Sequence, residues 1–144
     1  MTVAPTGSVH GSALRGLLRA AVTGDGDALG DVVTDDVIGW SPNLFVRSRT
    51  ELLEAVGPRD DTFSGVVVDV RALDELGDKA FAEWHVAADH TGPLFVDDDV
   101  VIEPTGRRLH LSGATVAEFD GDRICAFRSY FDDLALVEQA LGEP

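Results

Sequence analysis

The chain has 144 residues, 44% of them apolar and 26% charged, so one folded domain with one core is expected and global disorder is excluded. Twenty-six Asp and Glu against eleven Lys and Arg leave a formal net charge of −15, a sign that repels phosphates and argues against nucleic acid and anionic membranes as partners. The single cysteine, Cys125, allows neither an intrachain disulfide nor a cysteine-based metal site.

The N-terminus has no basic segment leading into an apolar one, and no apolar run approaches the ~20 residues of a membrane span. A cytoplasmic protein is expected. Residues 1–8, rich in Pro, Gly and Thr, read as a flexible tail, and residues 9–144 as a single domain.

Leu14, Leu17, Leu18, Ala21 and Val22 recur at i, i+3, i+4, i+7 and i+8, the apolar stripe of an amphipathic helix. Gly24 and Gly26 end it, and a short second helix is predicted over Asp27 to Val33. Val37 to Trp40 reads as a short strand closed by Ser41-Pro42-Asn43. Ser48 or Thr50 then caps a helix carrying Leu52, Leu53 and Val56, with Gly57 and Pro58 as its stop.

Beyond residue 63 the hydrophobic period changes to two. Strands are predicted over Ser64 to Leu73, Lys79 to His90, Arg107 to Phe119 and Arg123 to Phe131. Glu75 to Asp78 and Asp120-Gly121-Asp122 are the tight turns, Thr91 to Thr105 is irregular, and Asp132 to Leu141 is a closing helix. Helices first and a meander of long strands after indicate α+β. The expected architecture is a curved antiparallel sheet wrapped around N-terminal helices, enclosing a cone-shaped cavity.

Alternation assigns strand faces. Ala82, Trp84, Val86, Ala88 and His90 form the more apolar face of their strand and are assigned inward. Leu109, Leu111, Gly113, Thr115 and Phe119 follow on the next strand, then Cys125, Phe127, Ser129 and Phe131. His85, His110, Arg128 and Tyr130 fall outward. Of the four histidines, only His90 combines inward parity with a strand end, where a cavity mouth would lie.

The stretch Glu83-Trp84-His85-Val86-Ala87-Ala88-Asp89-His90-Thr91-Gly92-Pro93-Leu94 resembles a segment of SnoaL-like proteins in the nuclear transport factor 2-like superfamily. Pro104-Thr105-Gly106-Arg107, Phe119-Asp120-Gly121-Asp122-Arg123-Ile124 and the closing Tyr130-Phe131-Asp132 resemble the same family in order and spacing, from about residue 11 to residue 142. The resemblance implies a cone-shaped barrel with a deep apolar pocket and a homodimer formed through the outer sheet face. It spans polyketide cyclases, isomerases, dehydratases, epoxide hydrolases and non-catalytic proteins, so it leaves the activity open.

Ser129 falls where such cyclases commonly carry an acid/base aspartate. Trp84, Val86 and Ser129 fall where limonene-type epoxide hydrolases carry Arg, Asp and Asp. That triad is absent, which argues against epoxide opening by that route.

Proton transfer beside a carbonyl needs a base and a donor for the developing enolate oxygen. His90 is the base expected from sequence and Ser129 the donor. Trp40 and Trp84 would stack on a flat ligand, and Val86, Leu109, Leu111, Phe127 and Phe131 would form apolar walls. The expected function is cyclisation or isomerisation of a hydrophobic, polyketide-like or cyclic metabolite, without cofactor or metal. The alternative is a non-catalytic binding or accessory protein with the same pocket. Structural roles also stand open: His90 holding a loop, Ser129 bonded to backbone, both tryptophans packing the core and Asp132 capping the last helix.

Other signals are discounted. Asp97-Asp98-Asp99 reads as a solvated loop. The calcium-like spacing of Asp25 to Asp36 fails at Leu29, where an oxygen ligand is required. Gly24-Asp25-Gly26 lacks dinucleotide spacing, and His85 with His110 lacks a third metal ligand.

Overall fold

The computed structural model describes residues 8–56, 62–95 and 99–142. Residues 1–7 of the expected tail, the Gly57-Pro58 stop and Asp97-Asp98 lie outside these. Helix α1 (Val9–Thr23) starts where the Ser8 hydroxyl accepts the Gly11 N–H at 3.2 Å. Its stripe is buried as expected: Leu14, Leu17 and Leu18 keep 7% exposure or less, each stabilising by about 1.5–3 kcal/mol relative to an exposed position. Helix α2 (Gly26–Val32) is capped by Asp25, whose carboxylate accepts the Ala28 N–H at 3.1 Å. Helix α3 (Arg49–Val56) is capped by Ser48, which accepts the Glu51 N–H, while the Glu51 carboxylate reaches back to the Arg47 N–H.

The sheet strands are β1 (Val33–Ser41), β2 (Leu44–Val46), β3 (Phe63–Leu76), β4 (Lys79–His90), β7 (Arg108–Asp120) and β8 (Arg123–Phe131). They lie in the order β2-β1-β8-β7-β4-β3. All neighbours are antiparallel except β1 and β8. Register shifts in β1, β3 and between β7 and β8 bend the sheet. The result is a curved α+β layer whose inner face packs on the helices. The core joins Leu14, Leu29, Val37, Leu52, Trp84, Phe119, Ile124 and Phe127. Among the described residues no helix is long and apolar enough to cross a membrane.

Several expectations are corrected. The first strand begins at Val33 rather than Val37, because Val33 already pairs with Ile124. Strand β2 follows the Ser41-Pro42-Asn43 turn, which sequence had read as a simple close. The segment expected to be irregular holds a two-stranded ribbon, β5 (Leu94–Phe95) with β6 (Val101–Ile102). Cys125 is not in the core set: the register shift at Glu118/Phe119 sets Phe119 opposite Ile124 and leaves Ile124, not Cys125, fully buried.

Helix α4 (Leu134–Leu141) begins with the Leu134 N–H on the Asp132 carboxylate at 3.1 Å, the capping role expected for Asp132. The Gln139 side chain ties α4 to β7. Its Oε1 accepts the His110 N–H and its Nε2 donates to the His110 carbonyl, each at 2.7 Å. A carboxamide thus replaces a missing strand neighbour, satisfying both backbone groups.

Candidate functional site

Between the helices and the inner sheet face lies a cavity of about 680 Å³. Its helical walls are Leu17, Leu18, Ala21 and Val22 of α1, Leu52 and Val56 of α3, and Leu134, Leu136 and Val137 of α4. The sheet contributes Trp84, Val86 and Ala88 of β4, Leu109 and Leu111 of β7, and Phe127, Ser129 and Phe131 of β8. Leu94 and Phe95 of the β5–β6 ribbon close another side.

Two glycines create the space that the aromatic walls occupy. A Cβ on Gly39 would collide with the Phe127 ring, and one on Gly113 with the Trp84 indole. The indole therefore sits with its six-membered ring against Gly113 on β7. It meets Phe131 at a centroid distance of 6.1 Å and 57°.

Polar groups on the cavity wall are few. Ser41 and Asn43 bond to each other, Oγ donating to Oδ1 at 2.9 Å. Ser129 Oγ lies 2.8 Å from Thr115 Oγ1, which also accepts the Trp84 indole N–H at 3.0 Å. Asp133 is the only ionisable side chain on the wall among the described residues. It sits at the start of α4 yet makes no side-chain capping bond, because Asp132 takes that role. Sequence reasoning missed Asp133; the signal was its place beside Asp132, since one helix start leaves one of two adjacent carboxylates without a capping partner.

Seven of the nine residues expected at the site line this cavity: Trp84, Val86, Leu109, Leu111, Phe127, Ser129 and Phe131. Trp40 does not. Val37, Gly39 and Ser41 point inward on β1, so Trp40 and Ile38 emerge on the outer face, 40% and 51% exposed. There Trp40 meets Tyr130, ring centroids 5.3 Å apart.

His90 has the inward parity expected, but it lies beyond the cavity wall and is fully buried. The Thr105 N–H donates to its Nδ1 at 3.3 Å, and the Thr105 hydroxyl lies 3.0 Å from the same nitrogen. Its backbone bonds Arg107 and Gly106, and the adjoining Thr91 and Gly92 N–H groups bond Thr62. With Nδ1 accepting, Nε2 is left as the ring's donor, and it has no partner among the described residues. These bonds tie the ring to the segment that carries Thr105, as in the loop-holding alternative, and His90 is not among the residues that line the cavity.

The remaining polar features lie on the outer face. His85 Nε2 is 3.1 Å from His110 Nδ1, and no group of three or more metal-ligating side chains occurs among the described residues. Arg128 donates to Glu118 at 2.8 Å and holds that carboxyl below its ordinary range. Burial, aided by nearby Asp120, pushes the Cys125 thiol up.

The model of the SnoaL-like domain matches residues 14–127, which take in every sheet strand except the last four residues of β8, and most of the cavity wall. The chain belongs to the SnoaL-like family. Its fold is shared by a candidate polyketide cyclase from Acidithiobacillus ferrooxidans, 20% identical over 100% of both chains with a TM-score of 0.77. A candidate SnoaL-like polyketide cyclase from Jannaschia sp. CCS1 is 15% identical over 100% of this chain and 99% of its own, TM-score 0.77. An epoxide hydrolase of the LEH-like type from M. tuberculosis is 18% identical over 96% of this chain and 93% of its own, TM-score 0.69. At such identities the likeness is one of fold. No curated protein matches the chain. The SnoaL-like assignment accounts for the order of elements and the enclosed space, and leaves the chemistry to the residues on the wall.

Proposed function

We propose that this SnoaL-like protein binds a hydrophobic, ring-bearing small molecule and catalyses a cofactor-independent proton transfer, a cyclisation or an isomerisation. One observation carries the reading: Asp133, with no capping bond, and Ser129 share an otherwise largely apolar wall. Asp133 takes a proton from carbon next to a ligand carbonyl. The electron pair moves onto the carbonyl oxygen, which the Ser129 hydroxyl stabilises. In an isomerisation the carboxylic acid returns the proton to another carbon. In a cyclisation the enolate carbon attacks a second carbonyl of the same molecule, and the new alkoxide takes the proton.

2-Tetralone in D2O tests this without knowledge of the natural substrate. The protein is expected to accelerate deuterium entry at the α-carbons, and Asp133→Asn to lower that rate by about 10²-fold or more. A rate equal to that of buffer, or one indifferent to Asp133→Asn, overturns the enzymatic reading. Tight binding without exchange would favour the binding-protein alternative, which Ser129 supports by standing where a family acid/base aspartate is common.

A homodimer through the outer sheet face belongs to the same proposal. It is supported by the family resemblance and by Trp40, Phe81 and Tyr130, which are 40%, 38% and 50% exposed on that face. Light scattering on the purified chain checks it; a monomer at all concentrations contradicts it.

A further inference from the structure

The hydrogen bonds behind Ser129 have a direction, and the direction defines the ligand atom that belongs there. Trp84 Nε1–H can only donate, and it donates to Thr115 Oγ1 at 3.0 Å. Thr115 is 1% exposed, so its own hydroxyl proton must find a partner inside the protein. The acceptor in reach is Ser129 Oγ at 2.8 Å. If Thr115 donates to Ser129, the Ser129 proton is left over, and Ser129 lines the cavity. The reverse arrangement strands the Thr115 proton in the interior and is disfavoured by about 5- to 150-fold.

We infer that Trp84 and Thr115 are positioning residues that make Ser129 a hydrogen-bond donor toward the cavity, so that the bound molecule presents an acceptor-only oxygen, a carbonyl or its enolate, at this point. This rests on the functional reading above and deepens it. It also gives a physical meaning to Ser129. An ionised aspartate there would accept from Thr115 and set negative charge against the ligand oxygen, whereas the serine passes the polarity of the indole N–H forward. The indole is held in place to begin the chain because Gly113 lacks the side chain that would displace it.

Two measurements test the inference. The first needs no ligand. In NMR spectra the slowly exchanging hydroxyl proton is expected to be that of Thr115, with cross-peaks to the Ser129 β-protons, while the Ser129 hydroxyl exchanges with water. A protected Ser129 proton directed at Thr115 overturns the proposal.

The second compares 9-fluorenone with fluorene, which lacks the oxygen. Wild type is expected to prefer fluorenone by about three- to tenfold and to lower its carbonyl stretching frequency. Ser129→Ala is expected to abolish both effects, Thr115→Val to weaken them and Thr115→Ser to restore them. Equal affinity for the two compounds, with no change in the stretch, overturns the donor role while leaving the apolar cavity standing. Failure of both to bind instead sinks the reading of the cavity, and the ligand class falls with it.

Discussion

Gly113 faces Trp84 across β7 and β4 and Phe131 across β8. In Gly113→Ala the added methyl would stand 2.6 Å from the indole Cη2 and 2.7 Å from the Tyr130 carbonyl oxygen. Neither neighbour gives way cheaply, since one is backbone and the other is tied through Nε1 to Thr115. Overpacking of this kind costs about 1–3 kcal/mol. Displacing the indole strands its N–H for about 1–3 kcal/mol more. The sum, about 2–6 kcal/mol, lowers Tm by roughly 4–24 °C for a chain of this length.

Gly16→Ala supplies the control. Its methyl meets only the end of the Val32 side chain, at 3.4 Å, on an interior position of α1. Relief of the helical glycine there is expected to stabilise by about 0.5–1 kcal/mol. Thermal unfolding followed by circular dichroism reads both variants. A Gly113→Ala protein as stable as wild type would refute the account of how the indole is seated.

Three further outcomes are expected. Gln139→Ala removes both 2.7 Å bonds to His110; stability falls by about 0.5–1.5 kcal/mol because water replaces the exposed partners, and hydrogen exchange speeds up at the His110 amide but not in α1. Glu118 has a folded pKa held down chiefly by the Arg128 hydrogen bond. The stability it contributes is therefore present above the unfolded value of about 4.3 and lost as pH falls through the folded one. For a pair this exposed the effect is about 0.2–1 kcal/mol, and the Tm gap between wild type and Glu118→Gln should close between about pH 6 and about pH 2; a constant gap argues against the pair. Cys125, its thiol pushed up by burial and Asp120, is expected to react several-fold more slowly with Ellman's reagent than glutathione does at neutral pH; equal rates would show a thiolate that the structure does not support.

Much of the fold was legible because periodicity reports burial directly. The α1 stripe and the inward faces of β4, β7 and the later part of β8 could be read from apolar spacing, and seven wall residues followed from those strand faces. What was hidden required partners distant in sequence. The parallel pairing of β1 with β8 fixes the parity of β1, and a tryptophan alone gave no sign of it. Yet Val37, Gly39 and Ser41 alternate with Ile38 and Trp40, so giving weight to the small residues would have sent Trp40 outward.

The bulge beside Phe119 moved Ile124 into the core in place of Cys125, and a single inserted residue leaves no hydrophobic signature. His90 was read correctly for face but not for depth. Parity cannot tell a side chain at the cavity wall from one buried beyond it and bonded to Thr105. Asp133 escaped because a helix start conceals which of two adjacent carboxylates does the capping.

A crystal soaked with 2-tetralone puts the account at risk most simply. Electron density for a bicyclic ring in the cavity against Trp84 and Phe131, with its oxygen within hydrogen-bond reach of Ser129, is the expected result. Density on the outer face beside Trp40, or an interior that admits no ring at all, would contradict it.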